Sequence, residues 1–332
     1  MRRLIQRMRQ ERGATAVLIA ILMIPLMGCL AISVDIGSLY SERAQLQNGA
    51  DAAAIAVATA CAKHLPSCAS PQQIATTIAD QNAIDGSTTV LTPTFPNNHT
   101  VTVSVQTLNP DGTSGAYHPF ASVLGVGSTT VHASATAEWG SPSAAAVLPL
   151  SFAYCDFSGA TFGVRTLIQY DENKPCKGPT GQPIAGGFGW LDQLPGQCLS
   201  FVDLSQPNVG SNPGLNPPSN CTSLFSTLAG QTVLIPIYDC SHTQNSTNCA
   251  NGVNGQQGVF HIYSFAAFTI TGWKFTGTGN SIMNNPDPLS PACTGNCRGV
   301  QGYFQQYVDP AAAANWDIGG PSLGLNIVRL TN

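Results

Sequence analysis

The rhythm of hydrophobic positions changes several times along this chain. Residues 14–34, ATAVLIAILMIPLMGCLAISV, carry no charge. As a helix such a run spans about 30 Å, the hydrocarbon thickness of a bilayer, so it predicts one transmembrane helix over 14–34. Beyond it, apolar or small residues recur at Ile36, Leu39, Leu46, Ala50, Ala53, Val57 and Ala60, in steps of three and four once Arg43 is counted. That is helical spacing, and the Ala-rich composition favours helix. The membrane helix is therefore expected to continue as a stalk over 35–62 and to break before Pro66. Its small-residue seam admits close approach either by the chain's own domain or by a sister copy, through self-association along 36–60.

After the stalk the pattern alternates between periods. Ser70-Pro71-Gln72-Gln73 has the form of a capping box with Pro at the first helical position. Ile74 and Ile78 then share a face, and Asp85-Gly86 ends the helix. Val101, Val103 and Val105 alternate with Thr102, Ser104 and Gln106, as in a half-buried strand. Asn109-Pro110-Asp111-Gly112 is turn chemistry. Phe120, Val123 and Leu124 predict a short helix, and Val131, Ala133, Ala135 and Ala137 a further strand. The order predicts a small α+β domain over 63–140. Ser141-Pro142-Ser143 with Ala144–Ala146 reads as a linker. From there VLPLSFAY (147–154), FGVRTLIQY (162–170), TVLIPIY (232–238) and VFHIYSFAAFTITGWKF (259–275) predict a β-rich domain over 145–332. Helical character returns at PAAAANW (310–316).

Charge gives this layout a direction. Charged residues are 9% of the chain, against about 25% in an average soluble domain, while hydrophobics are 43%. Net charge is −4, with 33 Gly and 23 Pro. This excludes a disordered charged tail and a basic nucleic-acid binder, so nucleic acid is not an expected partner. A lone apolar run excludes a polytopic transporter. Arg2, Arg3, Arg7, Arg9 and Arg12 stand against Glu11 before the run, whereas residues 35–332 hold eight basic and sixteen acidic groups. The basic segment 1–13 therefore reads as cytoplasmic and the bulk of the chain as extracytoplasmic, on a single-pass cell-membrane protein. A cleaved signal peptide would have a shorter apolar core. Leu26-Met27-Gly28-Cys29 loosely resembles a lipobox with Cys29 as the lipidated residue, but the apolar run continues to Val34.

Eleven cysteines fit an outer compartment. Apart from Cys29, the ten others are Cys61, Cys68, Cys155, Cys176, Cys198, Cys221, Cys240, Cys249, Cys293 and Cys297. An even ten beyond an orienting anchor predicts up to five disulfides. Cys61/Cys68, Cys240/Cys249 and Cys293/Cys297 are the nearest pairs, while the connectivity stays open. Cys293-x3-Cys297 lacks the second ligand pair of a zinc site.

Residues 12–57 carry a more specific signal: Arg12-Gly13 ahead of the run, Pro25 inside it and Asp35 at its end. Gly37, Tyr40, Arg43, Leu46-Gln47 and the Asp51-Ala52-Ala53-Ala54 block follow. This stretch resembles the N-terminal segment of Flp (tight-adherence) pilus-assembly TadE/TadG-like proteins. The resemblance makes Arg12, Gly13, Pro25, Asp35, Tyr40, Leu46, Gln47 and Asp51 the motif residues. It implies the lipid bilayer and other pilus-assembly or pilin subunits as partners. It also casts the long helix with 63–140 as pilin-like, Phe120-Ala121 and Leu124-Gly125 matching a short family element. Cleaved prepilins place a Glu five residues after the scissile Gly. Here that position is Leu18, so a TadG-like member that is not a prepilin-peptidase substrate fits better. The Asp-x-Ser-x-Ser metal motif of some TadG-like chains is only approached at Asp203-Leu204-Ser205-Gln206-Pro207, which lacks the second Ser.

Catalytic patterns are weak. None of His64, His99, His118, His132, His242 and His261 lies in HExxH. Cys155 or Cys240 with His242 or His261 would make a cysteine-dependent hydrolase only with a free thiolate, which disulfides remove. His261 alternates with Val259 and Tyr263 as a strand histidine, and the adjacent Asp171 and Glu172 would face apart in a strand. The expectation is an α+β chain: a transmembrane helix extended as a long pilin-like helix, a small α+β domain, then a β-rich disulfide-containing domain. It is not an enzyme and has no cofactor. Its role is structural or accessory in Flp pilus assembly. The alternative is a surface-exposed adhesin or binding module using the loops of 155–332, with the hydrolase a remote third.

Overall fold

The computed structural model describes residues 2–108, 112–116, 120–125, 127–212, 214, 216–245, 249, 258–276, 283–308 and 316–331. One helix, α1 (Arg2–Ala62), runs unbroken through Pro25. The chain divides into two compact units: residues 1–61, 66–137 and 330–332, and residues 62–65 and 138–329.

In the first unit the α1 seam is used within the unit. Leu46, Ala50, Ala53, Ala54, Val57 and Ala58 are buried. Helix α2 (Pro71–Asn82) crosses close to α1: a Cβ placed on Gly49 would sit 3.4 Å from the Ala79 Cα. Such proximity demands small residues, so Ala75 and Ala79 are the buried face. The expected Ile74/Ile78 face is half-buried and flanks it. The expected capping box does not form either. Ser70 makes no side-chain cap, and Pro71 supplies the helical start.

Strands β1 (Thr88–Val90), β2 (Thr94–Asn97), β3 (Thr100–Thr107) and β4 (His132–Gly140) make the unit's sheet, with β3 between β1 and β4 and β2 also on β3. Val101, Val103 and Val105 point inward together with Ala133, Ala135 and Ala137. Outward, the hydroxyls of Thr102 and Thr136 pair at 2.9 Å and those of Ser104 and Ser134 at 3.0 Å. The chain's last residues return here, Thr331 Oγ1 donating to Thr136 O at 3.3 Å. The short helix expected near 120–124 is a 3-10 turn, Ala121–Leu124. Most of the 109–112 turn, the side chains of Val123 and Leu124, and all but Trp316 of the 310–316 helix lie outside the described residues.

In the second unit the main sheet has eight strands; one, Asn284–Asn285, lies off its path, and the other seven are β5 (Leu150–Ala153), β6 (Thr166–Gln169), β7 (Phe188–Leu191), β8 (Asn208–Asn212), β9 (Thr232–Thr243), β10 (Gly258–Lys274) and β11 (Gly299–Gln305). Their order is β8-β7-β5-β9-β10-β11-β6, and β8 pairs back onto β10, closing a five-strand ring. Both faces are covered. Phe152, Phe188 and Trp190 belong to one core cluster, Ala153, Leu191 and Phe260 to another. Burial on both faces explains the continuous apolar runs of β9 and β10.

The expected linker is a strand. Pro142–Val147 pairs with Ser200–Asp203, with Ala145 buried. Pro at the first strand position costs no ladder bond, and the alanines fill shallow core space. The run 147–154 divides at Leu148-Pro149 into two strands. All ten cysteines beyond Cys29 pair, as Cys61–Cys68, Cys155–Cys176, Cys198–Cys221, Cys240–Cys249 and Cys293–Cys297.

Candidate functional site

The residues of the N-terminal motif separate into two groups on α1. From Val17 to Ile36 the large apolar side chains are exposed, a surface suited to lipid. Pro25 and the free thiol of Cys29 lie on this part of the rod. Arg12 and Gly13 fall on the helix before it.

Asp35 ends the apolar run and is only 7% exposed. Its carboxylate accepts the Ala121 N–H at 2.7 Å and the Phe120 N–H at 3.2 Å. It thereby caps the 3-10 turn from a distance in sequence, a place where a carboxylate satisfies otherwise orphaned donors. About three helical turns further along, Gln45 Oε1 accepts the Ile84 N–H at 2.8 Å. Gln47 Nε2 donates to Asp51 Oδ1 at 2.8 Å and to Ser134 O at 3.3 Å. Leu46 is buried beside them. Asp35, Leu46 and Gln47 thus fasten the helix to its own small domain, while Asp51 holds the Gln47 amide from the next turn of the same helix. Tyr40, 73% exposed, and Arg43 face outward. Glu42 sits between, its pKa raised by burial and by the Asp85 charge.

The second unit brings together titratable groups that the sequence leaves far apart. His261 on β10 donates from Nδ1 to Asp239 Oδ1 at 2.6 Å. The β9–β10 register shifts around Tyr238 and Cys240, leaving Asp239 as the extra residue of a bulge. Bulges re-aim side chains, and this one turns a carboxylate toward the histidine. The hydrogen bond to Asp239 raises the His261 pKa, burial opposes it, and the Asp239 charge adds to it. His261 is indeed a strand residue, but periodicity gave no signal of its partner.

The sign of the linkage follows from that raised pKa. The stabilisation is fully present below the unfolded value of about 6.5 and is lost as pH rises through the folded value. His261→Gln should therefore narrow the stability difference between pH 5.5 and pH 8.5 relative to the parent, read by thermal melts. An unchanged pH dependence would refute the coupling.

A second pair, Arg165 with Asp287, clamps the loop before β11. Burial alone would raise the Asp287 pKa. Hydrogen bonds from Thr271, Ser290 and the Leu289 N–H, together with the Arg165 charge, hold it at about 2. The cysteines considered as nucleophiles, Cys155 and Cys240, are both in disulfides. Asp203 accepts the Ser205 N–H at 2.8 Å in a local turn. Among the described residues no group of His, Cys, Asp and Glu is arranged to hold a metal.

No curated protein and no solved structure matches the chain. The comparison with family models finds a match on the long N-terminal helix: residues 13–60 match the Flp pilus-assembly TadE/G-like family (Tad).

Proposed function

We propose that this protein is a membrane-anchored, extracytoplasmic accessory component of Flp pilus assembly, with its N-terminus in the cytoplasm and its bulk outside. The observation that carries this reading is Asp35. A family-motif acid at the end of the apolar run ties the first domain to the rod, so the domain is held at the membrane boundary. The five arginines ahead of the run support the orientation, and five disulfides support an oxidising outer compartment.

The role is pseudopilin-like without polymerisation. Leu18 stands where a prepilin has its Glu, and the seam from Leu46 to Ala60 is already occupied by the chain's own domain. Self-association along the whole of 36–60 is therefore replaced by a narrower contact. Ile36, Tyr40 and Arg43, exposed just beyond the bilayer, are the residues offered to pilin or assembly subunits.

Deleting the gene and imaging the cells tests the role. Pili should be lost or sharply reduced, and restored by the wild-type gene. Normal pilus number and adhesion in the deletion strain would overturn it. Labelling of engineered cysteines at positions 8 and 70 in intact cells tests the orientation, with reaction expected only at the second.

A further inference from the structure

A cavity of about 620 Å³ opens in the second unit, where the end of α1 meets the loop 322–326. Its volume is that of a small-molecule site. Lys63 and His64 bring the basic groups, Phe162 and Tyr307 the aromatic surface, and Gln305 and Ser322 the neutral polar groups. Among the described residues no carboxylate lines it. This runs against the local balance, since residues 35–332 hold sixteen acids and eight bases.

The walls are tied. Lys63 Nζ lies 3.9 Å from the centre of the Tyr307 ring, a cation–π contact that fixes the ammonium without neutralising it. Asn326 Nδ2 donates to Ala62 O at 3.1 Å and so joins the loop to the helix end. The Phe304 carbonyl accepts the Gly163 N–H at 2.9 Å, and the Gln306 carbonyl accepts the Asn326 N–H at 3.1 Å. These two carbonyls are therefore not open to an extended peptide. What remains is a fixed cation, aromatic carbon surface and planar amides. Those groups match a carboxylate, the apolar face of a pyranose ring and its hydroxyls.

We propose that this cavity binds an acidic sugar, a hexuronate unit of an anionic polysaccharide, with Lys63 taking the carboxylate. This goes beyond the assembly role and does not depend on it. The full-length protein in zwitterionic nanodiscs, titrated calorimetrically with tetragalacturonate at physiological salt, should show saturable binding. Lys63→Gln, at an exposed position, should weaken it about tenfold, the loss of one charge-assisted hydrogen bond. Ser322→Trp, filling the cavity from its exposed rim, should weaken it at least as much. Both variants should melt with the parent.

Three results would each overturn the proposal. One is equal binding of a neutral tetrasaccharide. Another is displacement by equimolar inorganic sulfate, which would reduce the site to nonspecific charge. The third is no heat of binding, or binding that neither variant alters. Loss of pili in a deletion strain would leave all of these readouts unmoved, so the two readings fail separately.

Discussion

Phe268→Ala destabilises the second unit by about 4 kcal/mol, the cost of emptying a fully buried aromatic position. Phe268 lies midway along β10, opposite Val233 on β9 and Phe304 on β11. Its ring meets Phe152 edge-on at 5.1 Å and Phe304 at 4.9 Å between centroids. The surroundings cannot collapse to fill the gap. Phe152 and Phe304 are themselves fully buried and in edge contact at 6.2 Å. Gly302 lies directly against the ring: a Cβ there would collide with Phe268 and with the Thr269 carbonyl. At about 2–4 °C per kcal/mol for a unit of this size, the melting temperature should fall by roughly 10 °C. Phe268→Leu, which keeps most of the volume, should cost about 1–2 kcal/mol. A loss below 1 kcal/mol for the alanine variant, by thermal or denaturant unfolding, would show that this cluster is not the unit's core.

Asp35→Ala has the second largest expected effect, and it falls on function. The substitution removes the acceptor of two backbone N–H groups, Phe120 and Ala121, at the end of the apolar run. Hydrogen bonds to a charged partner contribute about 1.5–3 kcal/mol, and donors left unpaired add their own desolvation cost. The 3-10 turn should open locally while the rest of the unit, held by Leu46, Val57 and the valines of β3, stays folded. Hydrogen exchange of the Phe120 and Ala121 amides in nanodiscs should accelerate by one to two orders of magnitude, as expected for about 2 kcal/mol. Asp35→Asn, with one acceptor oxygen, should fall between. In cells the alanine variant should reach the membrane at parental level and yet assemble fewer pili. Unchanged exchange would remove Asp35 as the tie. Changed exchange with normal piliation would separate the tie from assembly.

Much of this molecule is written locally. The uncharged run of 14–34, the stalk to Ala62, the Val101-Val103-Val105 strand and the apolar runs of β9 and β10 are visible because periodicity and burial are set residue by residue along one element. The motif of 12–57 was equally legible, since its residues lie on a single helix. The even number of cysteines beyond the apolar run announced disulfides, and sequence neighbours such as Cys61 and Cys68 were natural pairs.

What the chain could not disclose depends on strands and helices meeting. Cys155 finds Cys176, and Cys198 finds Cys221, only through the sheet arrangement. The 142–147 segment has linker composition, and pairing with 200–203 makes it a strand. Close contact at Gly49 chose the alanine face of α2 over the isoleucine face. Asp239 reaches His261 because a bulge turns it, and Lys63 reaches Tyr307 across 244 positions of sequence. The sequence alone determined the long apolar N-terminal helix, the strand-rich composition of the chain beyond it and the even set of cysteines available for pairing, because charge and period are local quantities. Tertiary structure decided which motif residues face inward, which acid meets which base and where a cavity opens, because those follow from register and packing distance.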